Sequence, residues 1–333
     1  MPIIRSTSGR SFSAAADQSI LDAAIAAGVT LPYGCRTGRC GTCRCRVETG
    51  ETRPLLAETG LDATARAEGW VLACVRTAID DVTLDYDDLG DVVLPAPKTL
   101  PCRIAALDRM SDDVLRVRLR LPPSAAFAYL PGQYVEIIGF GGVRRSYSLA
   151  AAGPADAPLE LHVGRVPGGV MSAYWFDRAK EGDLLRLHGP FGTFVLRDVA
   201  GADLVFLATG TGFAPVAALL QHIAVLAPER APRSITLYRG ARREDDLYGD
   251  VAASPLLRVV PVLSRAPASW TGRRGHVQDA VLADHPDLTR TVVYACGSPA
   301  MVRDAETALA AAGLPAGRFF SDAFVPSSTA SEP

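Results

Sequence analysis

Four cysteines constrain this chain more than any other feature. Cys35, Cys40 and Cys43 stand as C-x4-C-x2-C, and Cys74 follows after 30 intervening residues. The first three share one short loop in which Gly38 and Gly41 recur between the thiols. This is the spacing of a plant-type [2Fe–2S] centre, where four thiolates hold two irons. Such a centre needs thiolates converging on one small object, with backbone N–H donors close to its sulfides. Glycines that can take positive φ let the chain fold tightly around it. Zinc would more naturally use two separated C-x2-C pairs. Seven cysteines without a signal peptide argue against a disulfide scaffold.

Length and charge narrow the class. A chain of 333 residues suits two or three domains of about 100 residues each. A hydrophobic content of 48% supports real cores, and no run of 18 apolar residues predicts a membrane span. Met1-Pro2-Ile3-Ile4-Arg5 lacks the apolar stretch of a signal peptide, so a cytoplasmic enzyme with reduced thiols is expected. A net charge of −2 argues against nucleic acid as a partner.

The texture along the chain predicts several domains. Residues 1–93 carry short strand-like segments and a helix starting near Ser19, where Ser19 and Asp22 form a variant capping box and Gly28 is the stop. Pro95, Pro97 and Pro101 mark a linker over 94–101. Residues 102–198 alternate polar and apolar positions, as in Val114–Leu119, Tyr134–Ile138 and Leu159–Val163, which predicts an antiparallel barrel. From 199 to 333, apolar strands such as Leu204–Ala208, Ile235–Tyr238 and Thr291–Ala295 alternate with helical segments, the pattern of a doubly wound α/β domain. Residues 327–333 form a short low-complexity tail.

The segment Cys35–Cys43, together with Gly69-Trp70-Val71-Leu72-Ala73-Cys74, resembles the ferredoxin module of the flavin- and NAD(P)H-dependent electron-transfer reductases. Those proteins serve multicomponent oxygenases and some sugar-dehydrating systems, and the resemblance extends over nearly the whole chain. It implies a multidomain fold: a β-grasp [2Fe–2S] ferredoxin domain, an antiparallel β-barrel FAD domain and a doubly wound α/β NAD(P)H domain. It also implies that Cys74 is the fourth ligand beside Cys35, Cys40 and Cys43. Cys45 is a further thiol that packs beside the site, and Cys102 reads as a core residue.

Arg145-Ser146-Tyr147-Ser148 resembles the R-x-Y-[ST] flavin signature of this superfamily. Arg145 can meet a flavin phosphate bidentately, Tyr147 offers a ring face and a hydroxyl, and Ser148 can bond the N5 edge. Gly168-Gly169-Val170-Met171-Ser172 precedes a helix over 172–176, whose free N–H groups would bind the pyrophosphate. Gly189-Pro190-Phe191-Gly192-Thr193-Phe194 matches the turn that closes the flavin barrel in the family. His162 and Val163 join the cofactor-binding set through their backbone, with a purely structural role for His162 as the alternative. FAD is expected rather than FMN, because the ferredoxin module here is N-terminal.

Gly210-Thr211-Gly212-Phe213-Ala214-Pro215 sits at a strand-to-helix junction, where a doubly wound sheet places pyrophosphate. Its G-T-G-x-x-P form is that of the reductases. Cys296-Gly297-Ser298-Pro299-Ala300-Met301 resembles the family turn that borders the nicotinamide. The resemblance places Cys296 near the reactive carbon and makes Phe324 the aromatic that covers the flavin face. Arg239 opens the loop that meets the adenosine 2′ position. There Arg242 and Arg243 suit a 2′-phosphate while Glu244–Asp246 oppose it, and the balance favours NADH over NADPH.

The expected function is a monomeric reductase that passes electrons from NADH through FAD and the cluster, singly, to a transiently bound terminal oxygenase. The reductase of a deoxysugar-forming dehydrase is the alternative within the class, and the segment Phe320–Phe324 also looks like that group. A non-catalytic electron carrier is the alternative from another class, opposed by intact motifs at all three sites. The acidic stretch Asp80–Asp91 is a solvated face or a means of steering a basic partner.

Overall fold

Strands β1 (Ile3–Ser6) and β2 (Ser11–Ser13) form a hairpin, and helix α1 (Ile20–Ala26) follows where the sequence places a cap. Ser19 Oγ accepts the Asp22 N–H at 3.0 Å, and Gly28 takes φ +71° just beyond the last turn. Strands β3 (Arg44–Thr49), β4 (Thr52–Pro54), β5 (Trp70–Leu72), β6 (Arg76–Ala78) and β7 (Val82–Asp85) follow, with the short helix α2 (Ala63–Ala67) before β5. A five-stranded sheet runs in the order β2-β1-β7-β3-β5, with β1 and β7 parallel. Strands β4 and β6 make a separate pair. Ile4, Leu84, Ile20 and Leu21 are fully buried, and α1 packs on β2, β6 and the 3-10 turn Ala73–Val75.

The computed structural model describes residues 1–87, 89–90, 92–153 and 157–325. The tail 327–333 and the residues Asp88 and Asp91 of the acidic stretch lie outside these. Residues 1–94 together with Ala323–Val325 make one compact unit, and residues 95–322 make a second.

In the second unit, β8 (Lys98–Ser111), β9 (Val114–Arg120), β10 (Tyr134–Ile138), β11 (Arg144–Ser148), β12 (Leu159–Gly164) and β13 (Leu184–Phe191) form one antiparallel sheet. Its order is β11-β10-β13-β8-β9-β12. A bridge between Leu149 and Leu161, and the Ala150 N–H on Glu160 O at 2.8 Å, join its ends into a barrel. Alternate residues such as Val117, Leu119, Val135, Ile137, Leu161 and Leu187 point inward. Helix α3 (Val170–Asp177) adds Met171, Tyr174 and Trp175 to that core.

Strand β8 begins at Lys98, inside the stretch expected as linker. Pro101 is tolerated there because residues 98–102 pair only with β13. Pairing with β9 starts at Arg103, so the missing N–H faces no partner strand.

The remaining strands are β14 (Asp203–Thr209), β15 (Ser234–Ala241), β16 (Leu257–Leu263), β17 (Arg273–Arg274), β18 (Thr291–Gly297) and β19 (Phe319–Ala323). Helices α4 (Phe213–Ile223), α5 (Val277–Asp284) and α6 (Pro299–Ala311) accompany them. The sheet order is β17-β16-β15-β14-β18-β19, and β14 is parallel to both β15 and β18. The chain therefore moves outward to one side of β14 and then to the other. That reversal leaves a crevice at the carboxyl ends of β14 and β18, where open α/β sheets bind ligands.

Candidate functional site

Cys35, Cys40 and Cys43 come from the loop before β3, and Cys74 from the 3-10 turn Ala73–Val75. The Ala73 N–H donates to Cys43 O at 3.1 Å and brings the distant cysteine to the loop. Among the described residues no three His, Cys, Asp or Glu side chains surround one point as a single metal ion needs. The thiols stand instead as two pairs, Cys35 with Cys40 and Cys43 with Cys74. Two irons shared among four thiolates suit that arrangement. The Cys40 thiol holds Cys35 down to about 4, and Cys43 lowers Cys74. Cys40 and Cys43 are pushed well up by those same partners and by burial. Backbone donors point at sulfur as well: Cys35 N–H to Cys40 Sγ, and Thr37 N–H to Cys35 Sγ, both at 3.4 Å. Gly38 takes φ +72°, and a Cβ there would lie 2.5 Å from Ala57 O, so the tight loop needs glycine. These residues fit a [2Fe–2S] cluster.

A buried ion pair braces this region. Glu58 accepts from Arg76 Nη2 at 2.8 Å and from the Leu72 N–H at 2.7 Å, and Arg76 Nη1 reaches Thr52 Oγ1 at 2.9 Å. The pair thus ties β4, β5 and β6 around the turn that carries Cys74. Removing one partner of a buried pair leaves an uncompensated charge. Glu58→Leu is therefore expected to destabilise the first unit by about 3–5 kcal/mol. Thermal bleaching of the visible cluster absorbance checks this, and an unchanged bleaching temperature would show that the pair does not brace the turn.

On β11, Arg145 and Tyr147 share one face and Ser146 and Ser148 the other. Tyr147 Oη accepts from Trp175 Nε1 at 2.9 Å, with the rings edge-on at 6.1 Å, so β11 is tied to α3. Burial pushes the Tyr147 hydroxyl up to about 12, and it stays a neutral hydrogen-bonding group. Helix α3 begins at Val170, two residues before the expected start, with Gly169 as N-cap. Gly168 takes φ +72° in the turn before it, and Ser172 Oγ accepts the Val166 N–H at 2.8 Å and holds that turn. An arginine and a helix N-terminus hung on one Tyr–Trp contact suit an anionic, phosphate-bearing cofactor. Val163 is in the barrel core. The buried His162 side chain lies 3.1 Å from Tyr248 Oη and 3.2 Å from Glu160 Oε1.

The two nicotinamide motifs meet at the crevice. Gly210–Gly212 form a 3-10 turn leading into α4, with Pro215 in its first turn, and Ala208 pairs with Cys296 across β14 and β18. A Cβ on Gly212 would lie 2.3 Å from Cys296 O, and one on Gly297 would lie 2.0 Å from Thr209 Oγ1. Only glycine permits these approaches, of Gly212 to the Cys296 backbone and of Gly297 to the Thr209 side chain. Thr211 Cγ2 would in turn stand 3.2 Å from a Cβ on Gly164, which brings the turn against the end of β12. Ser298 caps α6 through the Met301 N–H at 3.3 Å, with Pro299 in its first turn. Arg239 is buried over the Phe213 ring at 4.1 Å. It donates to Gly249 O at 2.8 Å and to Tyr248 O, so its guanidinium braces the loop after β15.

One residue escaped the sequence reading as a site candidate. Asp322 on β19 accepts from Ser148 Oγ at 3.5 Å, and its charge also raises the Cys296 thiol, which burial has already pushed well up. Ser148, Asp322 and Cys296 therefore converge from β11, β19 and β18. The only sequence signal was a single carboxylate in an otherwise aromatic and small-residue strand. Phe324 is half-buried and belongs to the first compact unit.

Three family profiles match in the order the chain folds: 2Fe-2S iron-sulfur cluster binding domain over 3–78, Oxidoreductase FAD-binding domain over 101–196, and Oxidoreductase NAD-binding domain over 206–307. The CDP-6-deoxy-L-threo-D-glycero-4-hexulose-3-dehydrase reductase of Yersinia pestis is 38% identical over 96% of this chain and 97% of its own. The chain belongs to the NAD(P)H-dependent FAD/[2Fe–2S] electron-transfer reductases. Another relative of this reductase is the naphthalene 1,2-dioxygenase/salicylate 5-hydroxylase reductase component of Ralstonia sp, 33% identical over 93% of this chain and 94% of that one. Among solved structures, the Amycolatopsis cytochrome P450 reductase GcoB superposes with a TM-score of 0.74 at 32% identity, over 98% of this chain and 99% of that one. The reductase is an oxidoreductase that uses a [2Fe–2S] cluster, FAD and NAD(H), as its three matched domains require. Among the described residues no helix is long and apolar enough to cross a membrane.

Proposed function

We propose that this reductase delivers electrons from NADH, one at a time, to a terminal oxygenase in the cytoplasm, binding it transiently and acting as a monomer. The convergence of Ser148, Asp322 and Cys296 beside the Gly210–Gly212 turn carries the reading, because it joins a flavin motif and a nicotinamide motif at one point. When bound, the flavin accepts hydride and the cluster handles single electrons. The chain's own residues do the rest. Cys35, Cys40, Cys43 and Cys74 hold the cluster. Arg145 and the α3 N-terminus at Gly168–Ser172 hold the flavin phosphates, with Ser146 and Tyr147 beside them. Gly210, Thr211, Gly212 and Pro215 form the nicotinamide pyrophosphate turn, and Gly297 and Pro299 shape the edge next to Cys296. Arg239 supports the adenosine loop, where Glu244–Asp246 favour a ribose diol over a phosphate.

Several oxygenase reductase components at 32–34% identity support an oxygenase acceptor. A second reading, the reductase of a sugar dehydrase, is favoured by the 38% identity of the Yersinia relative. Reconstitution with a purified terminal oxygenase and, separately, with a sugar dehydrase distinguishes them. NADH oxidation coupled to oxygen uptake and to hydroxylation supports the first reading. Electron acceptance by the partner with no oxygen consumed would sink it in favour of the second.

Deleting residues 1–93 tests the division of labour. The second unit has its own barrel and sheet cores and is expected to remain a soluble FAD protein. It should reduce ferricyanide with NADH yet reduce cytochrome c poorly and fail with the natural acceptor. Full transfer to that acceptor would place the cluster off the main route.

A further inference from the structure

Hydride transfer depends on parts that lie on two different sheets. The residues proposed for the flavin belong to the barrel, on β11, β12 and α3. The nicotinamide turns belong to the parallel sheet, at Gly210–Gly212 and Cys296. Their separation is set where the two sheets touch, and a shift of about 1 Å can cost about a hundredfold in rate.

The outer face of β12 makes one such contact. Leu161 and Val163 belong to the barrel core, so Glu160, His162 and Gly164 face the other way. Gly164 meets Thr211 of the pyrophosphate turn. His162 is 7% exposed, with Nε2 3.2 Å from Glu160 Oε1 and Nδ1 3.1 Å from Tyr248 Oη. An Nε2–H that donates to Glu160 leaves Nδ1 to accept from the Tyr248 hydroxyl. Burial pushes that hydroxyl up, so it keeps its hydrogen. On the other side, Tyr248 forms one block with the start of α4. Arg239 donates to Tyr248 O and Gly249 O and lies over the Phe213 ring, and Phe213 directly follows the Gly210–Gly212 turn.

Apolar packing does not close this seam by itself. A cavity of about 240 Å³ lies beside His162, lined also by Arg116, Glu160, Phe213, Gln221 and Asp250. Other hydrogen bonds across the seam are more open to water, as between Ser148 Oγ and Asp322 at 3.5 Å and from the Ala152 N–H to Gln221 Oε1 at 3.0 Å. The contact of His162 with Tyr248 is buried, and a hydrogen bond in a dry site holds one geometry more firmly.

We propose that His162 and Tyr248 are positioning residues, whose buried contact fixes the Gly210–Gly212 turn against β12 and so sets the distance over which NADH passes its hydride. The proposal rests on the electron-transfer reading above and adds the pair that holds its geometry.

Tyr248→Phe, which removes one hydroxyl, tests this in the full, cofactor-loaded chain. The limiting rate of flavin reduction by NADH is followed by stopped flow. The long-wavelength charge-transfer absorbance of the reduced protein titrated with NAD+ reports how the nicotinamide stacks on the flavin. The hydride carries both electrons, so each NADH leaves as NAD+. Reduction should slow by about tenfold or more with the NADH Kd within about twofold, and the charge-transfer band should weaken at saturating NAD+. His162→Leu should match this loss, while His162→Asn, which keeps an acceptor near Nδ1, should recover most of the rate. The histidine variants carry the test if Tyr248→Phe folds poorly. Tyr248→Phe/His162→Leu should be no slower than either change alone, because both remove the same contact. Tyr238→Phe is the control, since it removes a buried hydroxyl bonded to Asp284 at 2.9 Å, between β15 and α5. It should lower thermal stability yet leave rate and band within about twofold. Unchanged rate and band in the Tyr248 and His162 variants, equal losses in Tyr238→Phe, or additive losses in the double variant would overturn the positioning role alone. Failure of NADH to reduce the flavin of the unaltered protein would instead sink the electron-transfer reading.

Discussion

Cys74→Ser is expected to abolish the [2Fe–2S] centre, while Cys45→Ser keeps it. Cys45 lies on β3 and Cys74 in the 3-10 turn that follows β5, the partner strand of β3, so the contrast is a sharp one. Cys74 projects from the turn tied to Cys43 and forms one of the two thiol pairs. Cys45 is fully buried on β3, opposite Val71, and burial pushes its thiol up to about 12. Cys45 belongs to neither of the two thiol pairs, so the cluster does not call on it. Serine at 45 buries a hydroxyl in an apolar site and should cost about 1–3 kcal/mol of stability with iron content unchanged. Serine at 74 leaves Cys43 without its partner, so iron content and the EPR signal of the reduced protein should fall away or change form. NADH-driven reduction of the acceptor should be lost with them. A Cys45→Ser protein without iron beside a Cys74→Ser protein with it would reverse the ligand assignment.

Cys296→Ala and Ser148→Ala are each expected to slow flavin reduction by NADH by roughly ten- to a thousandfold, about 1.4–4 kcal/mol, with FAD still bound. The Cys296 thiol is fully buried at the end of β18, and its carbonyl is wedged against Gly212. Burial and the Asp322 charge keep it protonated, so it acts by filling space and setting distance rather than as a thiolate. The rate profile should accordingly show no thiolate inflection between about pH 6 and 9. Ser148 Oγ is oriented by Asp322 and loses that orientation together with its hydroxyl in the alanine variant. Stopped-flow reduction with parallel flavin quantitation separates a slower hydride step from lost cofactor. Phe324→Ala should alter nicotinamide affinity more than rate. Wild-type reduction rates in both Cys296→Ala and Ser148→Ala would move the reaction centre elsewhere.

Much of this was legible in the sequence because it is local. A C-x4-C-x2-C loop with interspersed glycines, a capped helix at Ser19, and the turns at Gly168–Ser172 and Gly210–Pro215 are each specified within about ten residues, by spacing and backbone preference alone. Alternation with period two marked the barrel strands, and continuous apolar runs marked the parallel ones. Tertiary structure decided what depends on residues far apart. Pairing of Cys43 with Cys74 follows from the antiparallel pairing of β3 with β5, which the Ala73 N–H on Cys43 O continues. The meeting of Ser148 with Asp322 spans 174 positions and needs the barrel and the parallel sheet to pack within one unit. Gly212 and Gly297 looked like separate turn residues, and only the pairing of β14 with β18 shows that Gly212 makes room for the Cys296 backbone and Gly297 for the Thr209 side chain. Pro101 sits in a strand rather than a linker because that stretch of β8 has a partner on one side only. Asp80 and Asp81 of the acidic stretch accept backbone N–H groups of Glu51 and Ile3, and Asp81 pairs with Arg5, contacts that appear only once the sheet is assembled. Spacing fixes chemistry when the chain is short between its parts; packing fixes it when the parts arrive from different strands.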